Sequence, residues 1–275
     1  MRRGGSARKA LKYLLPHGLI DVSRNCRRLR DLGRHVTAKD WWRSEWLVHE
    51  AEASGLDLLP PGHWRGLTTI VDVGANVGQW STMLLDLITP KQLIAIEPEP
   101  AAFAELQRRL AQRHFVELHN TAIGDRVGRI KFHITHDTTG ASALQPRPEM
   151  RELVGSNWSV RSEIEVPITT LDELLVRRDA ISLLKIDVQG FEKAALTGAR
   201  ETLRRTDFVL LELNCMPQYE GGSWFGEIHE MMTEENTFVL VDTSKPLRLN
   251  GRASMCDGLY VNVQRLPNFA PRDFV

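Results

Sequence analysis

Residues 68–80, "TTIVDVGANVGQW", carry the reading of this chain. Ile70, Val71 and Val73 crowd together instead of alternating with polar residues, so the stretch reads as a strand buried on both faces, as in a parallel sheet. It stops at Gly74 and Gly78, which bracket Ala75, Asn76 and Val77. Glycines placed directly after such a strand let the backbone turn tightly and come close to a ligand beyond the carboxyl end of the sheet.

The same rhythm continues downstream. "WSTMLLDLI" (80–88) reads as a helix, "QLIAIEP" (92–98) as a strand, and "AAFAELQRRLAQR" (101–113) as an amphipathic helix whose basic end suits its dipole. "FVELHNTAI" (115–123) and "GRIKFHIT" (128–135) are β-rich. "TLDELLVRR" (170–178) is a helix opened by a Thr-x-x-Glu capping box, and "ISLLKIDV" (181–188) is another buried strand. "GFEKAALTGARETLRR" (190–205) and "DFVLLELN" (207–214) add a further helix and strand. This alternation predicts a doubly wound α/β domain with a parallel sheet covered on both faces. The tail departs from it: "TFVLVDTSKPLRLN" (237–250) and "DGLYVNV" (257–263) predict an antiparallel pair at the sheet edge. The polar segment 136–163 reads as one long loop, a length more typical of a substrate loop than of a connector.

Upstream, 40–54 has helical spacing, with Trp42, Trp46, Leu47 and Ala51 able to share one face, and a Gly- and Pro-rich stretch follows. We therefore divide the chain into an N-terminal helical extension, 1–64, and the main domain, 65–275. The first 35 residues hold ten Lys and Arg against two acids, although the whole chain is formally neutral. Such a leader reads first as a solvated lead-in, with peripheral contact to anionic lipid as the alternative. It lacks the interleaved aromatics of a nucleic-acid platform. No apolar run approaches the roughly 20 residues of a membrane span. Cys26, Cys215 and Cys256 form no CxxC pair and suit reduced thiols in a cytoplasmic protein, at most peripheral to the inner membrane face. Oligomeric state is not legible.

The glycine turn constrains its guest. A dinucleotide fingerprint spaces its glycines G-x-G-x-x-G, whereas the order here is Asp72-x-Gly74-x-Asn76-x-Gly78. An acid and an amide suit an ammonium group or hydroxyls better than a phosphate. Glu97 ends the second strand 23 residues after Gly74, near the offset at which a carboxylate meets ribose hydroxyls in such folds. Together they point to S-adenosylmethionine over a nicotinamide dinucleotide.

"VDVGANVGQWS", "AIEPEP", "NTAIGD", "LLKIDVQGFEKAALTGA" and "VLLELN" resemble the successive motifs of the FkbM family of S-adenosylmethionine-dependent methyltransferases, over about 68–263. The resemblance implies a Rossmann-like class I methyltransferase fold, a seven-stranded, mostly parallel sheet ending in an antiparallel C-terminal hairpin. It also implies O-methylation of a hydroxyl on a sugar, glycolipid, polysaccharide or polyketide-type metabolite. Family members often carry Glu where Gln189 stands, so that side chain receives no catalytic role.

Methyl transfer to a hydroxyl needs alignment and a proton acceptor. Asp187, at the end of the strand expected beside the first, is the candidate base, or else the holder of a divalent metal such as Mg²⁺, which is the weaker reading. Glu212 and Asn214 share one face of the neighbouring strand and complete the candidate acceptor site. Lys185 should face the same way as Asp187 and keep it ionised, and Glu192 reads as a dipole-compensating residue. Asn120 and Asp125 are candidates for the adenine end. His133, His136 and Asp137 have the spacing of a metal pair without a third ligand, so no metal site is assigned, and His136 is kept as a base or acceptor contact in the long loop. Trp224 and Phe225 are candidates for an acceptor wall. The expected function is an O-methyltransferase with a small-molecule or glycan acceptor. N-methylation of a peptide or amino sugar, or a cofactor-binding module without turnover, are the alternatives.

Overall fold

The computed structural model describes residues 55–60, 63, 66–154, 158–178 and 180–269. The expected helix at 40–54 and the basic leader lie outside the described residues.

Five parallel strands form the centre of the main sheet: β1 (Thr69–Val73), β2 (Gln92–Ile96), β3 (Val116–His119), β7 (Ile181–Ile186) and β8 (Thr206–Asn214). They stand in the order β3-β2-β1-β7-β8, and β11 (Arg252–Asn262) adds to β8 antiparallel. The far edge of β11 is shared by β9 (Phe238–Thr243) and β10 (Leu247–Leu249). The sheet is thus seven strands wide, with two short strands occupying its last place.

Because each central strand is buried on both faces, its alternate residues feed two separate cores. Ile70, Leu93, Leu183 and Phe208 face α1 (Gln79–Leu87) and α2 (Pro100–Leu110) through Leu84, Leu87, Leu106 and Leu110. Val71, Ile94, Leu184 and Val209 face the opposite layer, where α4 (Leu171–Leu174), α5 (Glu192–Thr197), α6 (Arg200–Arg204) and α7 (Phe225–Glu230) supply Leu171, Leu196, Leu203 and Ile228. The Thr170 hydroxyl accepts from the Glu173 backbone N–H at 3.1 Å, so the cap expected for α4 is in place. Leu56, Leu58 and Leu59 are buried in the first of these cores, so the core of the domain begins before residue 65.

The segment 136–163 is not one loop. It contains a 3-10 turn at Thr138–Gly140 and α3 (Pro148–Val154), and it ends inside the ten-residue strand β6 (Val160–Thr169). This strand pairs antiparallel with β5 (Gly128–Thr135) and parallel with β4 (Ala122–Ile123), giving a second, three-stranded sheet over Phe132, Ile134, Val166 and Ile168. Pro167 and the acids Glu163 and Glu165 disguise β6 in the sequence, since proline argues against a central strand. Among the described residues no helix is long and apolar enough to cross a membrane.

Candidate active site

A cavity of about 650 Å³ opens at the carboxyl ends of β1, β2 and β7 and beside the end of β8. Its walls come from the glycine turn, the turn after β2, the face of α1, the second sheet and the β7–α5 loop. Two chemically distinct ends result.

The first end is made largely by backbone. Gly74 has φ +77°, and a Cβ there would stand 1.8 Å from the Asp187 carbonyl oxygen, so only glycine lets β1 turn this close to the end of β7. The Gly74 and Ala75 N–H groups both donate to the Ile96 carbonyl at 3.0 Å, which fastens the turn to β2. Asn76, also left-handed at φ +49°, donates its backbone N–H to Glu97 Oε2 at 2.8 Å. Its side-chain N–H₂ reaches the Thr138 carbonyl at 3.1 Å and ties the 3-10 turn to the glycine turn. Glu97 Oε1 accepts from the Glu99 N–H at 2.8 Å. Each Glu97 oxygen therefore keeps a lone pair for the cavity. Burial pushes the Glu97 carboxyl up to about 7, against the two N–H groups that favour its charge.

The second end is made by side chains. Lys185 sits beside Asp72 on the adjacent strand, and its ammonium lies 3.4 Å from Asp72 Oδ1 and 3.3 Å from Asp187 Oδ2. Burial alone would lower this ammonium, but Asp187 and Asp72 outweigh it and the group is held well above the usual lysine range. Asp187 Oδ1 accepts from Gln189 Nε2 at 2.8 Å, and the same nitrogen lies 3.1 and 3.2 Å from the two oxygens of Glu212. Asp257 stands directly across from Glu212 on β11 and lines the same end. Burial, then the Asp187 charge, pushes Asp257 up to about 6, and burial together with Asp187, Glu192 and Asp257 raises Glu212 well above the carboxylate range.

The sequence expectations divide accordingly. Gly74, Asn76, Glu97, Asp187 and Glu212 all line the cavity. Gly78 (φ +82°) serves as the N-cap of α1 against Leu106 and does not line it. Asp72 does not line the cavity: it is fully buried, accepts from the Ser81 hydroxyl at 2.6 Å and meets Lys185, so it braces the site from behind. Asn120 does not line the cavity but clamps the β2 turn, its N–H₂ donating to the Glu97 and Pro98 carbonyls at 2.8 and 3.1 Å; Thr121, Ala122 and Ile123 line that wall. Asp125 is exposed and pairs with Arg126 at 3.1 Å. His136 is exposed beyond the end of β5 and does not line the cavity, while His133 is buried against Glu163 at 3.3 Å, so the two imidazoles do not converge. Among the described residues no three of His, Cys, Asp and Glu are grouped to hold a metal ion. Asn214 shares the Glu212 face but is taken by Gln218. Trp224 is exposed at the start of α7 and Phe225 stacks on His229, so neither forms a cavity wall. Glu192 does more than face a dipole: fully buried, it accepts from the Val188 and Gly190 N–H groups at 3.2 and 3.1 Å and from Ser223 at 2.9 Å, which shapes the β7–α5 loop. Gln189, to which the sequence assigns no catalytic role, stands between Asp187 and Glu212 at the second end.

The donor set fits S-adenosylmethionine. The carboxylate of Glu97 suits a ribose diol, the flanking Pro98, Ala122 and Ile123 suit a base, and the acids at the other end suit the positive sulfonium that must face the acceptor.

Residues 72–240 match the model of the Methyltransferase FkbM domain family. The chain is 32% identical over 164 residues to "2-O-methyltransferase NoeI" of Sinorhizobium fredii, covering 55% of this chain and 65% of that protein. It is 30% identical over 156 residues to "31-O-demethyl-FK506 methyltransferase FkbM" of Streptomyces tacrolimicus, covering 48% and 59%. The chain thus spans 65% and 59% of the length of these two curated relatives, less than two thirds of each. Among solved structures, a methyltransferase FkbM from Methylobacillus flagellatus KT aligns with a TM-score of 0.48 at 15% identity, over 88% of this chain and 60% of that one.

Proposed function

The chain belongs to the FkbM methyltransferase family, and from that premise we propose that it transfers the methyl group of S-adenosylmethionine to a hydroxyl oxygen of a sugar, glycolipid, polysaccharide or polyketide-type acceptor. One observation carries the reading: Asp187 directly follows β7 with its carbonyl against Gly74 and its carboxylate in the same cavity as Glu97, so a nucleoside held at Glu97 and a base at Asp187 share one space. The names of the two relatives, both of O-methyl chemistry, support oxygen over nitrogen as the acceptor atom.

When bound, S-adenosylmethionine supplies an electrophilic methyl carbon on a sulfonium. Glu97 accepts from the ribose hydroxyls with the lone pairs left free by Asn76 and Glu99. Lys185 and Gln189 each occupy one oxygen of Asp187, which restricts the rotation of its carboxylate. Asp187 takes the acceptor's proton as the oxygen–methyl bond forms and the sulfur–methyl bond breaks, so the products are a methyl ether, the neutral thioether and a protonated carboxyl.

Incubation with methyl-labelled S-adenosylmethionine and a panel of hydroxylated glycans, glycolipids and polyketides, followed by mass spectrometry, tests the proposal. We expect label in an O-methyl ether with release of S-adenosylhomocysteine, with or without chelator. Label on an amine nitrogen, or none in any acceptor, would overturn it.

A further inference from the structure

Gln189 leaves β7 in the left-handed region, φ +54°, where a residue with a side chain is uncommon. The surroundings hold it there. Its carbonyl accepts from the Ser142 hydroxyl at 2.7 Å, and Glu192 grips the N–H groups on either side. The side-chain carbonyl accepts from the Tyr219 hydroxyl at 2.8 Å, while the amide nitrogen faces Asp187 and Glu212. A primary amide has two N–H donors and one acceptor oxygen, so turning it over would set that oxygen against two carboxylates and leave the phenol opposite N–H groups. Tyr219 is 2% exposed, and burial raises its phenol far enough that it stays a donor. The Tyr219 hydroxyl also lies 3.3 Å from the Gly140 carbonyl, but its contact with Gln189 is the shorter, and the amide is placed with its oxygen towards Tyr219 and its nitrogen towards the two acids.

We propose that Gln189 is a positioning residue for methyl transfer: locked by Tyr219, it gives one N–H to Asp187 and the other to Glu212, which aims Asp187 into the cavity and holds it apart from Glu212. The proposal rests on the reading of Asp187 as the base. Two carboxylates at one site otherwise tend to share a proton, and an acid that shares a proton is no longer a free base. The charges around the pair are those of Lys185 on β7, Asp72 on β1, Asp257 on β11 and Glu192 on α5, with Tyr219 as the neutral titratable neighbour. Only Lys185 among these is a cation, and it is committed to Asp72 and Asp187. Among the described residues no Lys or Arg forms an ion pair with Glu212, so the separation of the two acids falls to the amide.

The experiment compares Gln189→Ala, Gln189→Glu and the milder Tyr219→Phe with wild type in two readouts. The first needs no acceptor: carbon-13 carboxyl titration of the whole chain, with Asp187 and Glu212 assigned through Asp187→Asn and Glu212→Gln. We expect Gln189→Ala to displace the Asp187 resonance and raise the Glu212 midpoint, and Tyr219→Phe to do so in the same direction to a smaller extent. The second is turnover with the acceptor identified by the labelled-methyl screen. Gln189→Ala should lower kcat on the order of 100-fold with a much smaller change in KM for the cofactor. In Gln189→Glu a protonated side chain can still donate to one carboxylate and an ionised one repels both, so its turnover should fall with rising pH where that of wild type rises. Unchanged Asp187 and Glu212 titrations in both Gln189→Ala and Tyr219→Phe would overturn the proposal, as would a Gln189→Glu pH profile superimposable on wild type. Failure to find any acceptor would sink the O-methyltransferase reading and leave the titration to decide the role of Gln189.

Discussion

The two ends of the cavity are built by different means. At the cofactor end, backbone geometry does the positioning: Gly74 turns against the Asp187 carbonyl, and the N–H groups of Asn76 and Glu99 orient Glu97. At the acceptor end, side chains from β7, β8 and β11 meet, and Gln189 arbitrates among acids that would otherwise repel. A backbone-built site tolerates change in most side chains and none at the turn glycine. A side-chain-built site is tunable at every position, which suits the half that must differ between acceptors.

Substitutions can break this contrast. Asp187→Asn should cost the most in rate, roughly 10²- to 10⁴-fold in turnover, while calorimetric affinity for S-adenosylmethionine is retained. A loss of affinity with turnover intact would make the two ends a single binding surface. Glu97→Gln should do the reverse, weakening cofactor binding by about 2 kcal/mol, roughly 30-fold. Its pH dependence sharpens the test. Burial raises Glu97 to about 7, and the ribose hydroxyls donate to the ionised form, so wild-type affinity should fall as pH drops below about 7; the Gln variant should lack that slope in calorimetry. Gly74→Ala strains the left-handed turn and meets the Asp187 carbonyl, so urea denaturation should show a loss of at least about 2 kcal/mol. Asp125→Ala and His136→Ala, both exposed and outside the cavity, should change stability by less than about 0.5 kcal/mol and leave turnover unaltered.

The same contrast explains what the sequence made legible. The glycine turn and Glu97 are signalled by short spacings after buried strands, and the structure brings them together. The place of Asp72 is not legible locally, because a strand buried on both faces sends an acid into the core as readily as towards a ligand, and its partners Ser81 and Lys185 lie elsewhere in the fold. Asn120 and Asp125 lie in the expected turn, but which residues of a turn face inward is not a periodic property. The second sheet was hidden by Pro167. Gln189 could not be found locally: its partners Glu212, Tyr219 and Ser142 are 23, 30 and 47 residues away in sequence. The identity of its neighbours, and not its own type, gives it a role.

The central claim is that one cavity holds the nucleoside at Glu97 and presents the reacting carbon to Asp187. A crystal structure with S-adenosylhomocysteine tests this most directly. The account predicts ribose hydroxyls on the Glu97 carboxylate and the sulfur turned towards Asp187; a nucleoside bound away from Glu97, or a sulfur facing away from Asp187, would contradict it.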